Sequence, residues 1–240
     1  MIARIDEARS AGDTVGGVFE VVVHGLPIGL GSYVHWDRRL DAALAAAVMS
    51  INIVQGVEFG LGFEQTRRFG SAVHDVIEGR DDHGRWVHRT NNAGGLTGGV
   101  TNGEPLVVRG AVKPISTLAR PLASADLVTG ESVDKAHYER SDISVVPAAG
   151  VVAEAMVLLT IASFVLEKFG GDTIGDVRDA LDRYRARIAA SPEAPVAGGR
   201  RTAAPGAADG PDAVTADTAA IATTGHGLTG TDEAGSGGDD

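Results

Sequence analysis

Cysteine is absent from the 240-residue sequence, which removes disulfides, thiolate nucleophiles and cysteine-based zinc sites together. Aromatic residues are scarce at 5%, whereas glycine occurs 33 times. That balance favours many tight turns and small-residue packing over aromatic clusters. Positive charge is also in deficit, with 21 Lys and Arg against 32 Asp and Glu and a net charge of -11. Nucleic acid and an anionic membrane surface are therefore not expected partners, although a local basic pocket is compatible with any net charge. The opening stretch MIARIDEARSAGD has no apolar core of its own, so no signal peptide is expected, and the expected location is cytoplasmic. One run, 145–164, is apolar enough to raise the question of a membrane span. It contains Pro147 and Glu154, and a carboxylate near a bilayer centre is costly, so a buried core helix is expected.

Hydrophobic periodicity divides the rest of the chain. Ile2, Ile5 and Ala8 sit at helical spacing and predict a short amphipathic helix. The β-branched run 15–27 ends in glycine and proline and predicts a strand. LDAALAAAVMSIN (40–52) predicts a strong helix with Asp41 in its first turn, where negative charge suits the helix dipole. A glycine-interrupted strand is expected over 55–63. From 64 to 92 the pattern dissolves into charged and polar residues, which predicts a long surface excursion of the kind that is often functional or mobile. A glycine-rich turn region (93–105) leads into a strand over 106–114. An apolar helix from about 147 to 168 stops at Gly170 and Gly171, and a final helix over 173–188 is expected to be capped by Asp172 or Thr173. Segment 190–240 is acidic and rich in Ala, Gly and Pro. It holds too little apolar surface to offset its ordering entropy, so a disordered tail is expected after a domain over 1–189.

Three short segments could carry chemistry. GGLTGGVTNG (94–103) would let backbone N–H groups approach a flat or anionic ligand, although a plain multi-glycine turn is the simpler reading. KPIST directly follows a strand: Lys113 as a point charge with the Ser116 and Thr117 hydroxyls could grip a phosphate. A solvated lysine beside a Ser/Thr cap explains the same residues equally well. RSD, directly before the apolar helix, pairs Arg140 with Asp142, which could bind an anion and handle a proton; a surface ion pair is the simpler reading. Glu154, if buried, needs a partner. No cluster suggests a metal ion.

Taken in order, these segments resemble the successive blocks of the chorismate synthase family. The blocks are SAGDTVGGVFEV (10–21), HGLPIGLGS (24–32), SINIVQGVEFGLGF (50–63), NNAGGLTGGVTNG (91–103), VKPIST (112–117), RSDISVVPAAGVVAEAM (140–156) and LEKFGGD (166–172). The resemblance runs to about Ile188. It implies an α+β fold of the β-α-β sandwich type, lacking the family's N-terminal part. It implies an FMN-dependent carbon–oxygen lyase that eliminates phosphate from 5-enolpyruvylshikimate 3-phosphate to give chorismate, in aromatic amino-acid biosynthesis. FMN acts in its reduced form, NADPH is a possible reductant, and the family assembly is a homotetramer. By the same resemblance, Asn52, Ile53, Gly98, Lys113, Pro114, Ile115, Ser116, Thr117 and Arg140 hold FMN, and Asp142 is the catalytic, proton-handling carboxylate.

The chain also departs from the family. No GxSHG-type motif with its catalytic histidine is present, and the seven histidines match neither family histidine, so all are read as surface or loop residues. Gln55, Phe59 and Leu61 stand where the family commonly has KGVEIGDGF, and Ser144 replaces a common cysteine. The alternative reading is an inactive truncated remnant that binds flavin weakly or associates with a full-length homologue. On this basis the isolated chain is expected to show no turnover.

Overall fold

The computed structural model describes residues 1–139 and 141–190; Arg140 and segment 191–240, with the expected tail, lie outside the described residues. The first helix, α1 (Ile2–Ala11), ends on Gly12 in the left-handed region at φ 69°. It buries no residue, so the expected apolar face is not used. Ion pairs one turn apart, Arg4–Glu7 and Arg9–Asp6, line its exposed surface instead.

The remaining elements are β1 (Gly17–Val23), α2 (Leu40–Met49), β2 (Val54–Phe59), β3 (Ile77–Arg80), β4 (Trp86–His88), β5 (Leu96–Thr97), β6 (Val100–Thr101), β7 (Leu106–Val112), β8 (Ser124–Ala125), β9 (Ser132–Val133), α3 (Val146–Phe169) and α4 (Ile174–Ala189). The expected loop over 64–92 is thus partly ordered into the antiparallel β3–β4 hairpin. Trp86 and Val87 supply β-forming side chains there, in a segment whose charge hides the pattern.

The central sheet has the order β1-β7-β2, with both pairs antiparallel. Phe19 lies opposite Gly110 and Val21 opposite Val108, and this face carries the core. Gly110 has no side chain because the Phe19 ring lies across it. On the other face Arg109 stands between Glu20 and Glu58, its Nε donating to Glu20 Oε2 at 2.7 Å. Alternation of this kind fixes the register, because a one-residue slip would carry the charges into the core.

Helix α3 covers β1 and packs on α2, which covers β2. The class is therefore α+β, with an antiparallel sheet and helices on one of its faces. The core joins Phe19, Leu44, Val48 and Val108 to Ala153 and Val157 of α3. Burial of α3 is one-sided, however: only 22% of its most apolar stretch is buried, and Val151 and Leu159 are about two-thirds exposed. Glu154 is accordingly half-buried, not enclosed, and has no partner among the described residues. By length and composition α3 could cross a membrane, but its stripe of Ala149, Ala153, Val157 and Ile161 is committed to the sheet and α2. Helix α4 starts with a capping box: Thr173 Oγ1 accepts from the Asp176 N–H while Asp176 accepts from the Thr173 N–H.

Candidate functional site

The end of β7 is where the sequence motifs meet. Lys113, one residue past the strand, donates its N–H to the Ile53 carbonyl at 2.9 Å, and Pro114 then stops the pairing because it has no N–H. Ile53 is brought there by a tight turn after α2, closed by the Val54 N–H on the Ile51 carbonyl at 2.8 Å. Asn52, in the same turn, is exposed.

Segment 13–16, just before β1, organises the rest. Buried Thr14 donates its hydroxyl to the Ile115 carbonyl at 2.6 Å. The Val15 N–H donates to the Ile143 carbonyl at 2.8 Å, and Ser141 donates its hydroxyl to the Thr117 carbonyl at 2.6 Å. Gly16 is required at the crossing: a Cβ there would run into the backbone of Val112, Lys113 and Pro114. Four stretches distant in sequence are thereby held at one corner of the sheet. Each hydrogen bond is worth about 1 kcal/mol net, so their joint value lies mainly in fixing geometry.

The bonds that hold segment 113–117 use its backbone, the Lys113 N–H and the Ile115 and Thr117 carbonyls, and leave its side chains available. Lys113 and Ser116 are exposed, and neither the Lys113 ammonium nor the Ser116 and Thr117 hydroxyls have a partner among the described residues. Asp142 is exposed, and its chain neighbours Ser141 and Ile143 are both tied to the corner. One cation, two hydroxyls and a carboxylate on a fixed frame can receive a phosphate group and exchange a proton.

Gly98 is not part of this corner. It occupies the turn of the β5–β6 hairpin at φ 64°, with open space around it. The next residue, Gly99, accepts the N–H of Leu40 at the start of α2. Gly98 and Asn52 therefore lie at opposite ends of a ten-residue helix, about 15 Å long. The structure groups Asn52, Ile53, Lys113, Pro114, Ile115, Ser116, Thr117 and Asp142, and sets Gly98 apart.

Two residues that hold the corner had no role assigned from sequence. Thr14 sits in a TVGG run entering a strand and Ser141 between Arg140 and Asp142; a hydroxyl beside a forced glycine or a charged pair is the only signal available. The histidines largely follow expectation, with His24, His35, His74, His83 and His137 exposed. His88 does not: its side chain is only 11% exposed and Nδ1 lies 3.1 Å from Glu104 Oε1. His226 lies outside the described residues.

Comparison with known proteins bears on the same residues. A family model for chorismate synthase matches residues 1–166. A chorismate synthase of Saccharopolyspora erythraea is 56% identical over 189 residues, covering 78% of this chain and 47% of that protein. One from Geobacter sulfurreducens is 56% identical over 190 residues, covering 77% and 48%. A crystal structure of chorismate synthase superposes with a TM-score of 0.65 at 42% identity, covering 78% of this chain and 48% of that one. The chain spans about half the length of the curated relatives it matches. With the ordered motifs, the fold and these matches in agreement, the chain belongs to the chorismate synthase family of biosynthetic lyases.

Proposed function

We propose that this chain takes part in the chorismate synthase reaction, the anti-1,4-elimination of phosphate from 5-enolpyruvylshikimate 3-phosphate to give chorismate, with reduced FMN as cofactor. The observation that carries the reading is the meeting of Ile53, segment 113–117 and segment 141–143 at one corner, through the Lys113–Ile53, Thr14–Ile115 and Ser141–Thr117 hydrogen bonds. The donor set fits a flavin mononucleotide phosphate: an ammonium and two hydroxyls without a partner among the described residues stand on a frame that no ligand has to organise.

In this reading Lys113 holds the phosphate group as a point charge, and Ser116 and Thr117 donate hydrogen bonds to it. Asn52, Ile53, Pro114 and Ile115 shape the wall beside it, and Arg140 contributes a second cation. Gly98 would contact only the far end of the bound cofactor. Asp142 takes up or returns a proton at its carboxylate. A reduced flavin held by these residues would supply transient electron density for the loss of phosphate and hydrogen. The remaining task of the protein is to position the groups, exclude water and stabilise the leaving charge. NADPH as reductant, a homotetrameric assembly and a cytoplasmic location belong to the same proposal.

The test is release of inorganic phosphate from 5-enolpyruvylshikimate 3-phosphate with reduced FMN. The chain is assayed alone and together with the part of the Geobacter sulfurreducens relative that it does not span. Turnover is expected from the pair, falling about a hundredfold or more in Asp142→Asn. No turnover from the pair, or full turnover with Asp142→Asn, contradicts the reading.

A further inference from the structure

The opposite end of the sheet carries a cleft that the flavin corner does not use. It lies between the chain following β1, the β3–β4 hairpin and the last turns of α4, and it measures about 720 Å³, within the range of small-molecule sites. Leu26, Ile28, Val87 and Ile188 give it an apolar floor. His24, His83, Arg85 and Arg185 stand around that floor.

The walls are tied to one another. Arg80 Nη1, in β3, donates to the Ile188 carbonyl at 3.0 Å and the Ala189 carbonyl at 2.7 Å in α4. From α4, the Tyr184 hydroxyl donates to the Ile28 carbonyl at 2.8 Å and Arg185 Nη2 to the Gly25 carbonyl at 3.1 Å. Hairpin, loop and helix are thus fastened together, and the space between them stays open. A cavity held by its own walls loses little ordering entropy when something enters it.

Its charge is the second observation. The two carboxylates that line the cleft are already occupied. Asp81 accepts from the backbone N–H of His83 at 3.0 Å and of Arg85 at 2.8 Å, and from Arg85 Nε at 2.7 Å. Glu104 accepts from the His88 N–H at 3.0 Å and lies against the His88 ring. By contrast, the His24 and His83 rings have no partner among the described residues, and the Arg185 guanidinium has only one carbonyl and a distant carboxylate, Asp182 at 3.9 Å. The rim therefore holds donors in excess of acceptors, over an apolar floor.

The geometry points to a second binding site, for a small molecule that joins a carboxylate or phosphate group to an apolar body. It is distinct from the flavin corner. In the β1–β7 pairing Gly17 faces Val112 and Val23 faces Leu106, so Lys113 follows one end of the pair while His24 and Pro105 flank the other. Seven strand residues separate the two ends by about 20 Å. The inference does not depend on the lyase reading.

The test titrates the full chain with benzoate, phenyl phosphate and benzyl alcohol, read by calorimetry and by the ring resonances of His24, His83 and Tyr184. Saturable binding of at least one anion is expected, with shifts at those rings and with benzyl alcohol at least about tenfold weaker. Benzoate alone would identify a carboxylate ligand, and phenyl phosphate alone a phosphate ligand. Arg185→Met and, on the exposed loop, His83→Ala should each weaken anion binding about tenfold or more while circular dichroism stays unchanged. No saturable binding of either anion, equal binding of benzyl alcohol, unchanged binding in both variants, or shifts confined to segment 113–117 would overturn the inference.

Discussion

At one end of the three-stranded sheet, Thr14 and Ser141 spend their hydroxyls on the carbonyls of Ile115 and Thr117. At the other end, Asp81 and Glu104 spend their carboxylates on the N–H groups of His83, Arg85 and His88. The first arrangement consumes backbone acceptors and leaves Lys113, Ser116 and Thr117 open. The second consumes side-chain acceptors and leaves imidazole and guanidinium groups open. Both ends thereby present unpaired donors, accompanied at the first by the Asp142 carboxylate, in a chain whose net charge is -11. Segment 191–240, outside the described residues, alone holds eight acidic residues against two basic ones, so more than half of that net charge is not carried by the residues that form these ends. What a site offers a ligand is decided by which groups the fold has already satisfied, and net charge does not report this.

Each end can be perturbed separately, and the shared middle perturbs both. Phe19 is fully buried midway along β1, its ring across Gly110 of the central strand. Phe19→Ala should lower global stability by about 3–5 kcal/mol in urea denaturation, with protection lost at both ends together. Arg80 clamps only the cleft end. Arg80→Ala should cost about 1–2 kcal/mol, seen as faster amide exchange in the last turn of α4, while exchange at Ile115 and Thr117 stays as it was. Equal acceleration at both ends would show that the ends are one cooperative unit.

Acid should act on the cleft end through Asp81. The backbone N–H and the guanidinium of Arg85, with the His83 N–H, hold its carboxyl below the usual carboxylate value. A depressed folded value means that the stabilisation is fully present above the unfolded value of about 3.9 and is lost as pH falls through the folded one. Between pH 5 and pH 3 (both about), exchange of the Arg85 amide should rise relative to that of Lys113. A constant ratio over that window would remove Asp81 as the clamp of the hairpin turn.

Most elements of the fold could be read from sequence because their signals are local. The alanine- and leucine-rich run of α2, the β-branched run of β1 and the Thr173 cap all declare themselves within a few residues. The order β1-β7-β2 does not, since β7 enters between two strands that precede it; the facing charges of Glu20, Arg109 and Glu58 are its trace in the sequence. The one-sided burial of α3 was hidden for another reason. Its composition is apolar all round, so periodicity cannot say which stripe meets the sheet. The site divides similarly. Motif order named Asn52, segment 113–117 and Asp142, which the fold brings to one corner, but it could not show that α2 stands between Asn52 and Gly98. Nor could it show the cleft, because His24, His83 and Arg185 come from three segments that the Arg80, Tyr184 and Arg185 contacts bring together.

The account rests on the flavin phosphate binding at the Lys113 corner and not at the basic cleft. The most direct measurement is a titration of the full chain with FMN, followed by flavin fluorescence, for the unsubstituted protein, Lys113→Met and Arg185→Met. The account predicts that Lys113→Met weakens FMN binding about tenfold or more, while Arg185→Met leaves it within about twofold. A loss in Arg185→Met equal to or larger than that in Lys113→Met would place the flavin at the other end of the sheet and contradict the account.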